Sequence, residues 1–236
     1  PIDRALSYLE LHIEQGPVMV ARDLPAAVVS GIRGNLRHRR VICWGEAGHS
    51  GAIPRWLRHD PVFAFADLVT RLDEHWRTLL ERGVDLVVTC GIVGTDAADH
   101  AISRIPGSVA FSFEVRSQSQ ETLDDFYALF REECRHVGEQ RRVSFEFDPV
   151  VLAEPARMDP ELIGTLETAA RRLDIPFEII PSGAGHDAAV FANAGIPSGM
   201  VFVRNRNGSH NPHEAMEIGD FLKGVDILHA AVTARN

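Results

Sequence analysis

The chain has 236 residues, 45% of them apolar and 24% charged, enough for one large domain or two modest ones with cores of their own. A net charge of −9 argues against nucleic acid as a partner, because a phosphate backbone requires a basic face. No apolar run reaches the length of a membrane span, so no membrane partner, no secretory leader and a soluble, cytoplasmic protein are expected.

Residues 2–11, "IDRALSYLEL", place Ile2, Leu6 and Leu9 at helical spacing and predict a short helix. "PAAVVSGIRG" (25–34) reads as a strand ending in glycines, and "RRVICWGEAG" (39–48) as a strand breaking into the loop "GHSGAIP". From Asp60 to Arg82 the residues Val62, Phe65, Leu68, Val69, Leu72, Trp76 and Leu79 keep a period of about 3.6, with Gly83 as the stop. The stretches 84–94 and 107–117 are predicted strands. In the second, Phe111, Phe113 and Val115 share one face while Ser112, Glu114 and Arg116 share the other.

A helix follows over 122–137, capped by Thr122 or Ser119, and then a strand over 142–150. The order strand, helix, strand, strand, helix, strand across 39–148 is that of a split βαβ, ferredoxin-like unit. Beyond Pro149 come a helix from Asp159 to Leu173 with Pro160 at its first position, and a strand and glycine turn over 176–188 leading into a helix that ends at Asn193. A strand over 195–203 and a last helix from Ile218 to Ala234 complete the chain. Helices alternating with short apolar strands imply an α/β layer, so 1–33 and 149–236 read as one domain interrupted by 34–148.

The chemistry-bearing residues are scattered. The cysteines Cys43, Cys90 and Cys134 form no CxxC pair, which argues against a thiolate zinc site or a disulfide scaffold. No HExxH, Walker loop or GxSxG elbow occurs, and "GAGHDA" lacks the dinucleotide-binding pattern. His12 in "HIEQGP" and His210 in "GSHNPHE" follow elements that end in tight polar turns, which suits fixed metal ligands. Each is weak alone, since a loop histidine is more often hydrogen-bonded or solvated than a ligand. The solvated reading is the one taken for His213.

Five ordered stretches change the balance: "ELHIEQGPV", "GHSGAIPRWLRHDP", "ISRIPGSVAFSFEVRS", "SGAGHDAAVFA" and "NGSHNPHEAM". Together they resemble the zinc-dependent amidohydrolases that include N-carbamoyl-L-amino acid hydrolase, allantoate amidohydrolase and β-ureidopropionase, relatives of the aminoacylase and dipeptidase metalloenzymes. The resemblance runs over essentially the whole chain. It implies a metallopeptidase-like α/β catalytic domain interrupted by a ferredoxin-like α+β lid and dimerisation domain.

It further implies hydrolysis of the C–N bond of a small carboxylated ureido or N-carbamoyl substrate, with two zinc ions per site (manganese, cobalt or nickel as substitutes) and a homodimer built through the lid. Carried over by motif, His12 would bind one metal and His210 the other. Gln15 would touch the substrate. His49 would reach into the partner's site and polarise the scissile carbonyl. Arg116 would clamp the substrate carboxylate, and Ser103 and Gly107 would line the pocket. His186 and Asp187 would shape the loop beside the metal.

Two departures accompany the resemblance. Ser103 stands where the family usually has asparagine, offering one hydroxyl in place of an amide. The family also carries an upstream segment with a metal-binding histidine, a bridging aspartate and the catalytic glutamates, none of which precedes "LELHIEQGP" here. The expectation is that the chain begins inside a longer protein and that this piece alone is catalytically silent. The competing reading is a non-catalytic dimerisation or ligand-binding module of the same fold.

Overall fold

The computed structural model describes residues 5–234 and divides into two compact units, Pro1–Arg33 with Pro155–Asn236, and Gly34–Glu154. In chain order the first unit begins with β1 (Tyr8–Ile13), α1 (Val18–Ala21) and β2 (Ala26–Ile32). The second contains β3 (Gly34–Trp44), β4 (Gly48–His49), α2 (Pro61–Glu81), β5 (Val87–Thr89), β6 (Val93–Gly94), β7 (Arg104–Ile105), β8 (Ser108–Ser117), α3 (Gln120–Arg141), β9 (Ser144–Phe147) and β10 (Val151–Ala153). The first resumes with β11 (Ala156–Arg157), α4 (Pro160–Arg172), β12 (Phe177–Ser182), α5 (Asp187–Asn193), β13 (Ser198–Val203), β14 (Asn205–Arg206), β15 (Ala215–Met216) and α6 (Ile218–Thr233).

The predicted N-terminal helix is a strand. Leu9, Leu11 and Ile13 alternate with Tyr8, Glu10 and His12, and β1 pairs in parallel with β13 from Tyr8↔Ser198 to Ile13↔Val203. Tertiary pairing with a fully buried strand outweighs the weak helical spacing of Leu6 and Leu9; Ile2 lies outside the described residues. The sheet of the first unit runs β1-β13-β2, with β11 and β12 both pairing to β2. It is mixed, since β13 and β11 run antiparallel to β2 while β12 runs parallel.

Strand β2 is covered on both faces, so residues 26–29 read as a continuous buried apolar run. Ala27 and Val29 pack with Met19, Ala188, Met200 and Phe202 on one side. Ala26 and Val28 pack with Leu166, Ala170, Val201 and Ile227 on the other. Asp159 caps α4 by accepting from the Leu162 amide at 3.0 Å, with Pro160 inside the first turn.

The second unit has the strand order β9-β3-β8-β5, all antiparallel, with α2 and α3 supplying the crossovers; this is the split βαβ arrangement. Its core joins Leu68, Leu72, Phe111, Phe113, Phe126 and Phe130, and the Phe113 and Phe130 rings stack at 3.8 Å. Trp76 packs on this core and donates its indole N–H to the Leu86 carbonyl at 2.8 Å, whereas Val62 and Val69 of the same periodic face stay exposed.

Several boundaries shift. Strand β3 starts at Gly34 rather than 39 and carries an irregularity between His38 and Val41. The stretch 84–94 forms two short strands around Gly91 instead of one. Helix α3 begins at Gln120 under a Ser119 cap and continues to Arg141. Residues 149–154 stay with the second unit because β10 pairs with β3, so the chain crosses back after Glu154. No described helix is long and apolar enough to cross a membrane.

Candidate metal centre

Strand β1 decides the site. With a side-chain period of two, Glu10 and His12 project from the same face, toward the turn that follows β12. There His186 stands at the N-cap of α5, its side chain almost wholly buried. The His12 and His186 rings meet edge to face at 4.5 Å and 70°. The donor atoms of Glu10, His12 and His186 all lie within 4.8 Å of one another.

Hydrogen bonds orient both rings. The Nδ1 of His12 is 2.8 Å from the Ile13 carbonyl, an acceptor only, so Nδ1 carries the proton and Nε2 keeps its lone pair. The Ser182 hydroxyl lies 3.1 Å from the Ala184 carbonyl and 2.7 Å from Nε2 of His186. The hydroxyl also accepts from the Ala184 amide at 3.1 Å; the His186 tautomer decides whether it donates to or accepts from Nε2, and Nδ1 lies on the side of Glu10. That Nδ1 faces Oε1 of Glu10 at 3.7 Å. The other Glu10 oxygen accepts from the Ala188 amide in the first turn of α5 at 2.8 Å.

Burial, and then the neighbouring His12, push the His186 imidazole down to about 4 against a smaller opposing pull from Asp187. Burial and the carboxylates of Glu10 and Asp187 raise the Tyr8 phenol, whose ring stacks on Phe191 at 4.1 Å.

On its other flank His12 lines a cavity of about 470 Å³ together with Leu11, Gln15, His210, Glu214 and Phe221. The Gln15 amide nitrogen lies 3.0 Å from the Ser209 hydroxyl and 3.2 Å from Nε2 of His210. Gln15 and His210 both hold left-handed backbone, with φ of 60° and 59°, an uncommon conformation that concentrates at functional sites. Asn205 fixes both segments: its side-chain oxygen accepts from the Gln15 amide at 2.9 Å and its nitrogen donates to the Gly208 carbonyl at 2.8 Å. His213 is exposed.

Two residues in these segments, Glu10 and Asn205, escaped the sequence reading as parts of a site. Glu10 was legible only once 8–13 is a strand, two positions before His12. The buried Asn205 carries no local signal. Glu14 is structural, both of its oxygens accepting backbone amides of α1, from Val18 at 2.8 Å and Met19 at 2.9 Å.

The remaining expected site residues lie in the second unit. His49 pairs with Arg104 across β4 and β7, and its Nδ1 accepts from the Gly51 amide at 3.1 Å. Ser103 meets the same loop through its carbonyl, which accepts from the Ser50 amide at 2.8 Å. The Gly107 carbonyl accepts from Gly45 at 2.8 Å, and a side chain there would meet Ala47 only at ordinary contact distance. Arg116 sits near the far end of β8, bound to Glu114. At about 3.3 Å per strand residue, Gly107 and Arg116 are about 30 Å apart.

The profile of peptidase family M20/M25/M40 matches residues 2–234, and the chain belongs to that family. It is 36% identical over 227 residues to the N-carbamoyl-L-amino-acid amidohydrolase of Pseudomonas sp. (strain NS671), covering 95% of this chain and 53% of that protein. To the allantoate amidohydrolase of Escherichia coli (strain K12) it is 32% identical over 223 residues, covering 94% and 53%. The crystal structure of a hydantoinase/carbamoylase family amidase from Burkholderia multivorans superposes with a TM-score of 0.86 at 27% identity, covering 95% of this chain and 54% of that one. The chain spans about half the length of the curated relatives it matches.

Proposed function

We propose that this chain forms part of a metal-dependent amidohydrolase that cleaves the amide or ureido C–N bond of a small carboxylated substrate, an N-carbamoyl-L-amino acid or allantoate. The observation that carries the reading is His12. Its tautomer is fixed by the Ile13 carbonyl, and its ring lines one cavity with Gln15 and His210. Membership of the family and the names of the relatives supply the reaction class.

In this reading His12 and His210 each offer a neutral imidazole nitrogen to a zinc ion, with manganese, cobalt or nickel as substitutes; the donor set fits a borderline-soft cation. Zinc held there activates water and polarises the scissile carbonyl. Gln15 contacts the substrate from the cavity wall, while His186 and Asp187 shape the neighbouring loop. The unit of residues 34–154 acts as lid and dimerisation domain of a cytoplasmic homodimer.

Within that unit His49 steadies the developing oxyanion, Ser103 and Gly107 line the pocket and Arg116 holds the carboxylate. The length of β8 supports a two-subunit site. A substrate of a few ångströms cannot touch both Gly107 and Arg116 of one copy, whereas two copies can each contribute one end.

The test is ammonia release from N-carbamoyl-L-amino acids and allantoate by the full-length enzyme, before and after chelation and after zinc is restored. Turnover that chelation abolishes and zinc restores supports the reading. Turnover untouched by chelation, or no turnover on any carbamoyl or ureido substrate, overturns it. Sedimentation showing only monomer at micromolar protein removes the two-subunit site.

A further inference from the structure

Asn205 stands at the neck of the His210 loop, buried, where β14 pairs with β15 across Asn205↔Met216. Its side chain makes two bonds, both to main-chain groups. Oδ1 accepts from the Gln15 amide at 2.9 Å, and Nδ2 donates to the Gly208 carbonyl at 2.8 Å. One partner can only donate and the other can only accept, so the carboxamide stands one way round. The position calls for a neutral side chain with one acceptor and one donor.

Both bonds land where the backbone leaves its regular path. The ladder between β1 and β13 ends with the Glu14 amide on the Val203 carbonyl at 3.0 Å. Gln15 then turns left-handed, and the Asn205 side chain takes the next amide. On the loop side Asn207, Gly208 and His210 all have positive φ, and the Gly208 carbonyl turns in to Asn205. Left-handed backbone of this kind persists only where the surroundings hold it. The two held segments meet through their side chains, with the Gln15 carboxamide 3.0 Å from the Ser209 hydroxyl and 3.2 Å from Nε2 of His210.

We propose that Asn205 is a positioning residue of the hydrolytic site, setting through these two main-chain bonds where the Gln15 carboxamide and the His210 ring stand. The inference rests on the reading that places Gln15 and His210 in that site. Placement matters because an error of about 1 Å can cost about a hundredfold in rate. The charged neighbours are engaged elsewhere: Glu14 accepts two α1 amides, Arg204 binds Asp23 and Asp220, and Arg206 binds Glu217. A carboxylate at position 205 would therefore face the Gly208 carbonyl with no cation to neutralise it, and its pKa would rise.

The experiment compares Asn205→Asp and Asn205→Leu with the parent in the full-length enzyme. Asn205→Asp keeps the bond from Gln15 and sets an oxygen against the Gly208 carbonyl, whereas Asn205→Leu removes both bonds at similar size. Both variants should melt cooperatively while kcat/KM on N-carbamoyl-L-amino acids or allantoate falls about a hundredfold. Protonation gives the Asn205→Asp carboxyl one donor and one acceptor again. Its activity relative to the parent should recover as pH falls from about 8 to about 5.5, and that of Asn205→Leu should not. Unchanged kcat/KM, or a ratio for Asn205→Asp that stays flat with pH, overturns the proposal.

Should a variant fail to fold, the unaltered 236-residue chain decides. The Gln15 amide and one Asn205 side-chain N–H should exchange with solvent far more slowly than unstructured amides, and rapid exchange of either overturns the proposal. If the parent shows no chelator-sensitive turnover, the amidohydrolase reading falls alone. The His210 ring resonances then decide: they should shift in both chain variants while those of exposed His229 on α6 hold. A His210 ring that does not respond overturns the proposal.

Discussion

Glu114 grips Arg116 side-on, with Nε donating to Oε2 at 2.9 Å and Nη2 to Oε1 at 3.0 Å, two residues apart on one face of β8. The opposite face of the strand carries Phe111, Phe113 and Val115 into the core, so the pair cannot turn inward. Arg37 on β3 approaches the same carboxylate at 3.5 Å and is itself held by Asn35 at 2.8 Å. The guanidinium plane is therefore set before any ligand arrives.

Arg116→Lys is expected to cost about 0–1 kcal/mol of stability, because the pair is partly exposed and screened. In the full-length enzyme it should lower kcat/KM by roughly ten- to a hundredfold, the loss of a bidentate, charge-assisted contact to a carboxylate. Thermal melts and steady-state kinetics on the same variant separate the two effects. Unchanged kinetics takes Arg116 out of the substrate site.

Two helical glycines should respond with opposite sign. A Cβ on Gly224 of α6 would stand 2.7 Å from Leu11 and 2.9 Å from Val203, in the packing behind His12. Gly224→Ala should therefore destabilise by about 1–3 kcal/mol through overpacking, despite the better helix propensity of alanine. Gly164 of α4 has nothing within 4 Å of its added Cβ, and Gly164→Ala should stabilise by about 0.5–1 kcal/mol. Urea melts of both variants give the signs; a stabilised Gly224→Ala contradicts the close approach of α6 to β1.

The left-handed backbone at Gln15 makes a third expectation. Gln15→Gly should keep the stability within about 1 kcal/mol, glycine relieving strain at the cost of chain entropy. Gln15→Val should lose about 1–3 kcal/mol, since a β-branched side chain is disfavoured at positive φ. Equal melting of the two variants would count against the conformation.

The thiols set a pH dependence. Burial raises Cys90 to about 11, and burial followed by the nearby Asp60 charge raises Cys43 to about 12; burial pushes Cys134 up as well. Unfolded thiols ionise near about 8.5, so the native state holds protons that the unfolded chain releases. Their contribution to stability is complete below that value and is lost as pH rises toward 11–12, by up to about 1.4 kcal/mol per pH unit for each thiol. Melting points should fall over this range, less steeply in Cys43→Ala. At pH 8 a thiol reagent should modify half-buried Cys90 slowly and the other two only on unfolding.

Much of this protein was legible along the chain. The face of α2 from Phe65 to Leu79, the Asp159–Pro160 start of α4 and the alternation of Phe111, Phe113 and Val115 are local patterns, and local physics carries them into the fold. The split βαβ order followed from element order alone, because short connections leave few ways to arrange those strands. The motifs around His12 and His210 likewise marked both segments before any coordinates.

The tertiary structure decided the rest. Whether 8–13 is helix or strand depends on β13, 190 residues away, offering a buried edge to pair with; propensity over six residues is too weak to settle it. That pairing fixes a period of two, and the period puts Glu10 beside His12 and turns both toward His186. The sequence by itself marked the segments around His12 and His210. Only long-range pairing, which no local pattern encodes, determined which of their atoms face one another.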